Sequence, residues 1–163
     1  VFLQLPLAKE NDLLEIEKQE ELPEETENTV SVFHGRRILL AEDNEINAMV
    51  AEEILGGFGA QVDVAENGQL AVQMFEEKPE DYYDFILMDI QMPVMNGREA
   101  TETIRQLDRP DAQTVLIFGL SADAFVEDER KSIACGMNGH YAKPIDFDAL
   151  QRNIGSFLQK KQV

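Results

Sequence analysis

Three stretches, "RILLAED", "DFILMD" and "TVLIFGLS", run apolar almost without a break and then stop on carboxylates or a hydroxyl. A strand with one wet face alternates apolar and polar residues; near-continuous apolar runs belong to strands covered on both faces. The pattern predicts five strands: Arg37–Ala41, Gln61–Ala65, Phe85–Asp89, Thr114–Leu120 and a short His140–Ala142. Stretches of helical period lie between them, with Ile46, Met49, Val50 and Ile54 as the apolar stripe of the first and Leu70, Met74 and Phe75 of the second. Ala100, Thr103, Ile104 and Leu107 mark the third, and Phe147, Leu150, Ile154, Phe157 and Leu158 the last, while a helix around Val126–Cys135 has little to bury. Gly56, Gly57 and Gly59 end the first helix, Gly97 opens the third and Gly136 follows the fourth. Repeated βα units of this length demand right-handed crossovers, which gives an α/β fold: a doubly wound, five-stranded parallel sheet with helices on both faces. Such a sheet takes its ligand outside the carboxyl ends of its strands.

Charge narrows the partners. A formal net charge of −18 removes the attraction that a polyanion would need, so neither nucleic acid nor membrane contact is expected. The single cysteine, Cys135, makes no internal disulfide, no His/Cys cluster suits zinc, and no apolar run approaches the roughly 20 residues that span a bilayer. A cytoplasmic setting fits, with room for a membrane-anchored parent. The acid is concentrated at one end: residues 1–35 carry nine Asp and Glu against two lysines. Residues 9–35 therefore read as an acidic linker with at most one short helix. Ahead of it, residues 1–8 open with "VFLQLPL", a strand-like remnant that ends at a proline and has no evident partner. Residues 36–160 form the principal domain.

On the predicted sheet, Glu42 and Asp43 leave the first strand, Asp89 ends the third, Ser121 the fourth and Lys143 the fifth. All five residues share one edge. Two unit charges about 4 Å apart repel by about 4 kcal/mol at an effective dielectric near 20, so three clustered carboxylates demand a proton or a cation. All-oxygen donors suit a hard ion that keeps its waters, Mg²⁺ above all. With Lys143 as a fixed positive charge and Ser121 as a hydroxyl donor, such a pocket can neutralise the equatorial oxygens of a phosphoryl group while a carboxylate attacks. Asp89 is the better nucleophile, being central and followed by the turn-rich "IQMPVMNG"; Glu42 and Asp43, at the entrance, look like metal ligands. Lys143 precedes Pro144, which holds it extended and makes that peptide a candidate cis bond. Taken singly, each residue has a plainer reading: Glu42 and Asp43 as acids at a helix start, Lys143 as a surface lysine, Ser121 as a turn residue, His34 as exposed, and Cys135 as a small buried group. Their agreement across strand ends favours the site.

The blocks "LLAEDNEIN", "FILMDIQMPVMNG", "IFGLSADAF" and "GMNGHYAKPID", in this order and spacing, resemble the receiver domain of two-component response regulators, in the subtype fused to hybrid sensor histidine kinases. The resemblance covers Arg36 to about Gln159. It implies a flavodoxin-like sheet of strand order 2-1-3-4-5 and a phosphorelay role in signal transduction. It further implies Asp89 as phospho-acceptor; Glu42, Asp43, Asp89 and the backbone carbonyl of Gln91 around Mg²⁺ or Mn²⁺; and Ser121 and Lys143 on the phosphoryl oxygens. The donor would be a phosphohistidine on a histidine kinase domain or a histidine phosphotransfer protein, and self-association stays open. Gln91, Ala122 and Asp123 would flank the attack path and tune the lifetime of the acyl phosphate. His140 stands where the family often has an aromatic switch residue, with Tyr141 beside it; Ser121 replaces a commoner threonine and Asn96 a common aspartate. "VFLQLPL" is similar to the closing strand of a histidine-kinase ATP-binding domain, yet neither an H-box nor nucleotide-binding boxes occur, so the fragment itself is expected to be no enzyme beyond its own phosphoryl transfer and hydrolysis.

Rival readings stand beside this one. A Mg²⁺-dependent phosphatase with an aspartyl-phosphate intermediate wants a second acid two residues after the nucleophile, where this chain has Gln91. A nucleotide or flavin module wants a glycine-rich loop after the first strand, where this chain has "AEDNEIN". A non-phosphorylated, receiver-like interaction scaffold needs no intact acidic and lysine positions, yet all are present.

Overall fold

The computed structural model describes residues 31–122 and 126–162, and side chains at all of these but 126–128 and 159–162. The "VFLQLPL" stretch, the acidic segment up to residue 30 and Asp123, on which expectations were placed, lie outside the described residues.

Five strands, β1 (Arg37–Ala41), β2 (Gln61–Ala65), β3 (Phe85–Asp89), β4 (Leu116–Ser121) and β5 (Gly139–Ala142), form one sheet in the order β2-β1-β3-β4-β5. Every pairing is parallel. The helices are α1 (Glu45–Gly57), α2 (Gly68–Glu77), α3 (Gly97–Arg105), a single turn α4 (Asp111–Thr114), α5 (Val126–Ala134) and α6 (Phe147–Gln162). Side-chain alternation sorts the apolar strand residues into two layers. Ile38, Leu40, Phe85, Leu87, Phe118 and Leu120 pack with α1 and α6, whereas Leu39, Ala41, Ile86, Met88 and Ile117 pack with α2 and α3. Both faces of the three central strands, β1, β3 and β4, are thus dry, which is why their runs read apolar without alternation.

Two expectations needed correction. The stripe assigned to the first helix faces outward: Ile46, Met49, Val50 and Ile54 are 70%, 61%, 51% and 36% exposed, and α1 instead buries Ala48, Ala51 and Leu55. Small residues let the helix lie close on β1, so the larger apolar groups on the opposite face never meet the sheet. The fourth strand begins at Leu116 and not at Thr114, because Asp111 through Thr114 wind into α4.

That turn is held by an ion pair. Arg109 donates from Nε to Asp111 Oδ1 at 2.7 Å and from Nη2 to Oδ2 at 2.9 Å, while Asp111 also accepts from the Asp81 amide at 2.9 Å. Arg109 Nη1 reaches the carbonyl oxygens of Phe75 and Glu76 at the end of α2. Burial opposes ionisation of Asp111, but the Arg109 fork and the Asp81 amide outweigh it and hold the carboxyl below its ordinary range. Its contribution to stability is therefore complete above the unfolded value of about 3.9 and is lost as the pH falls through the depressed folded value. Arg109→Lys, which keeps the charge but loses the fork, should cost about 1–2 kcal/mol in urea denaturation at neutral pH. The deficit should shrink in strongly acidic buffer.

The packed unit reaches back to Val32. Phe33 is fully buried against Phe58 and Phe85, and a side chain at Gly155 of α6 would press on Val32. Arg105, at the end of α3, donates to the Gly136 carbonyl from Nε and Nη2 at 3.0 and 2.8 Å, to Asn138 Oδ1 at 3.0 Å and to the Ala112 carbonyl at 3.1 Å. At the other end of α3, Gly97 is required: a Cβ there would collide with the Asp89 carbonyl oxygen.

Candidate functional site

The carboxyl ends of β1, β3 and β4 and the segment after β5 converge on one rim of the sheet. Glu42 follows β1 directly and is tied to β2 by its amide, which donates to the Ala65 carbonyl at 2.9 Å. Asn44 caps α1, accepting from the Asn47 amide at 2.9 Å, so the helix starts at once and leaves Glu42 and Asp43 at its mouth. Its own amide donates to Glu42 Oε2 at 3.1 Å. Asp89 is the last residue of β3; its Oδ1 accepts from the Gln91 amide at 3.2 Å. Lys143 Nζ donates to Asp89 Oδ2 and to Glu42 Oε1, both at 2.8 Å. The Lys143 amide donates to the Ser121 carbonyl at 2.8 Å, which joins the ends of β4 and β5, and the Lys143–Pro144 peptide is cis.

One ammonium thus serves two buried carboxylates. Burial pushes the Asp89 carboxyl above its ordinary range, Lys143 works against that shift, and the neighbouring Glu42 adds to it. Burial also disfavours the Lys143 ammonium, but the hydrogen bonds it donates to Asp89 and Glu42 prevail and raise its value. Asp43 is exposed and completes the cluster: one oxygen each from Glu42, Asp43 and Asp89 lies within 4.8 Å of the others. With three carboxylates against one ammonium the cluster keeps an excess of negative charge, and its donors are hard oxygens, which fits a divalent ion of the Mg²⁺ kind.

The remaining residues singled out in the sequence are arranged around this centre. Ser121 is buried at the end of β4, while Ala122 and Gln91 are exposed beside it and beside Asp89. His140 and Tyr141 diverge from β5. Tyr141 joins the α1/α6 layer against Phe118, with ring centroids 5.9 Å apart, and His140 Nδ1 lies 2.9 Å from Ser132 Oγ of α5. The Ser132 contact was not foreseen, since α5 shows too weak a pattern in the sequence to say which side faces β5. Nor was the bond from the Asn44 amide to Glu42, whereas the Asn44 side-chain cap is the role that an Asn before a helix signals in the sequence.

A family model for the response regulator receiver domain matches residues 38–155. The chain belongs to that family. Among solved structures, the receiver is similar to that of the sensor histidine kinase PA1611 from Pseudomonas aeruginosa, described with a magnesium ion coordinated in its active-site cleft. The two are 36% identical over 77% of this chain and 98% of that one, with a TM-score of 0.68. It is also similar to the Saccharomyces cerevisiae complex of the phosphotransfer protein Ypd1 with the receiver domain of Ssk1, at 30% identity, 75% and 88% coverage and a TM-score of 0.65. Among curated relatives, Peroxide stress-activated histidine kinase mak3 of Schizosaccharomyces pombe is 30% identical over 96% of this chain, and sensor histidine kinase GacS of Pseudomonas protegens 33% over 83%. The chain spans only 8% and 14% of those two proteins' lengths. No helix among the described residues is long and apolar enough to cross a membrane.

Proposed function

We propose that this receiver accepts a phosphoryl group from a phosphohistidine onto Asp89 and relays it within a two-component pathway. The observation that carries the reading is the convergence of Lys143 on Asp89 and Glu42 at 2.8 Å, with an Asp43 oxygen in the same cluster. An oxygen of Asp89 attacks phosphorus; the N–P bond breaks, and its electron pair leaves with the donor imidazole. Lys143 and the Ser121 hydroxyl hold the phosphoryl oxygens. The acidic cluster and the Gln91 carbonyl would hold Mg²⁺, which when bound would supply the positive charge that lets an anionic nucleophile meet an anionic phosphoryl group. Hydrolysis or onward transfer ends the cycle, with Gln91, Ala122 and Asp123 setting its lifetime.

The donor is a protein, either a histidine kinase domain or a histidine phosphotransfer protein. Support comes from the apolar outer face of α1. Val50 and Ile54 line a cleft of about 460 Å³ whose other wall holds Lys143, Pro144 and Phe147, so an apolar docking surface runs straight into the phosphoryl site. We read the parent as a hybrid histidine kinase of the cytoplasm or its membrane face, with residues 1–8 the tail of an ATP-binding domain, 9–35 an acidic linker and 36–160 the receiver domain. His140, hydrogen-bonded to α5 and paired in the sheet with Gly119, two residues before Ser121, is the natural reporter of a change at Ser121.

Incubation with acetyl phosphate and Mg²⁺ should add the mass of one phosphoryl group to the intact chain, and a chelator should prevent it. A chain that stays unmodified under both conditions is a scaffold and not a relay.

A further inference from the structure

Two clefts adjoin the acidic cluster, and they differ in chemistry. One, of about 420 Å³, has Asp43, Gln91, Asn96 and Arg98 in its walls. The other, of about 460 Å³, is lined chiefly by apolar side chains, Val50, Ile54, Leu120, Pro144 and Phe147 among them, with Lys143 as one of its few polar groups. Leu120 is fully buried whereas Val50 and Ile54 are 51% and 36% exposed, so this cleft runs from the sheet out to solvent. A concave apolar wall with a cation fixed in it is the ordinary make-up of a site for a small amphipathic anion. Here the cation belongs to the reacting centre: Lys143 Nζ lies 2.8 Å from Asp89 Oδ2. A phosphoryl group held by Lys143 and Asp89 therefore brings whatever is attached to it alongside the apolar cleft. A protein laid on α1 covers the outer residues, while a slender alkyl chain also reaches Leu120.

We propose that the receiver selects, among small acyl phosphates, those with an aliphatic chain longer than acetyl, the phosphoryl group lying against Lys143 and the chain along Val50, Ile54 and Phe147. The inference rests on the relay reading of Asp89 and gives it a second class of donor besides the phosphohistidine protein. An Asp89 oxygen forms the bond to phosphorus, the bond between phosphorus and the acyl oxygen breaks, and its electron pair leaves with the free carboxylate. No proton or redox partner is needed. Each methylene buried in the cleft favours the longer donor by up to about fourfold, so the two that separate butyryl from acetyl phosphate are worth about tenfold in a cleft open to solvent on one side.

The test is the second-order rate of phosphoryl uptake by the full chain at saturating Mg²⁺, followed by intact mass with acetyl and with butyryl phosphate. Butyryl phosphate should react about tenfold faster than acetyl phosphate. The double substitution Val50→Asn/Ile54→Asn should bring that ratio below about threefold, because it makes the wall polar while sparing Ala48, Ala51 and Leu55, through which α1 reaches the core. Should the double variant fail to fold, Val50→Asn alone, at a half-exposed position, should at least halve the ratio. A ratio below about threefold in the unsubstituted chain, a ratio that the substitutions leave unchanged, or the mass of an acyl group in place of a phosphoryl group overturns the proposal. Uptake from neither donor would fail the relay reading itself, whereas equal uptake from both leaves the relay standing and removes chain selection alone.

Discussion

Asp89→Asn should abolish phosphoryl uptake while leaving the domain folded. The amide matches the carboxylate in shape but cannot attack phosphorus, so intact mass after acetyl phosphate and Mg²⁺ should show no added group. Stability should move the other way. Asp89 is buried, and its folded value lies above the ordinary carboxylate range, so the ionised form is what the fold tolerates poorly. For a group shifted upward, the stabilising contribution is complete below the unfolded value and is lost as the pH rises through the folded one. The neutral amide at this position carries no charge to bury at any pH. Lys143 keeps its bond to Glu42 in the variant. The thermal midpoint measured without Mg²⁺ at neutral pH should therefore not fall, and a clear drop would mean that the Lys143–Asp89 bond outweighs the cost of burying the anion.

Charging the outer face of α1 should separate the two kinds of donor. Met49 and Val50 are more than half exposed, and Val50 lines the cleft that leads to Lys143. Neither supports the core, which α1 reaches through Ala48, Ala51 and Leu55. The double substitution Met49→Asp/Val50→Asp should leave uptake from acetyl phosphate unchanged within about twofold, because a small donor needs no docking surface. Transfer from a phosphohistidine protein should fall by about a hundredfold, the loss expected when a central apolar anchor of an interface is replaced by a charge. Rapid-quench kinetics with both donors checks the separation. A parallel loss with acetyl phosphate would place the effect in the site and not in the docking.

The sheet was legible because its strands obey a simple rule: β1, β2 and β3 start and stop where apolar runs meet Arg37, Gln61 and Asp89. The start of β4 was obscured because Val115 has strong strand character while the Arg109–Asp111 pair, a contact between side chains, winds the preceding residues into a turn. The buried face of α1 was misread for a related reason. Helical period was followed through the largest apolar residues, yet closeness to a sheet favours the smallest, and Ala48 and Ala51 carry little weight in a hydrophobicity pattern. At the site, the meeting of Glu42, Asp43, Asp89 and Lys143 could be inferred from strand ends alone. How Glu42 divides its two oxygens could not, since that depends on the Asn44 amide and on the angle at which α1 leaves β1.

The α3 helix links two places that the strand order keeps apart. Its first residue lies against the carbonyl of Asp89, and its last, Arg105, grips the Gly136–Asn138 turn that feeds the strand leading to Lys143. A nine-residue helix is a rod of about 13 Å, so a shift of the loop after Asp89 is delivered to the foot of β5 as a rigid push. The grip at the far end is made on carbonyl and amide oxygens, with no carboxylate among them. Added salt, which loosens ion pairs at a protein surface, has no counter-charge to screen there, and the mechanical link should hold at ionic strengths that weaken electrostatic docking of a partner.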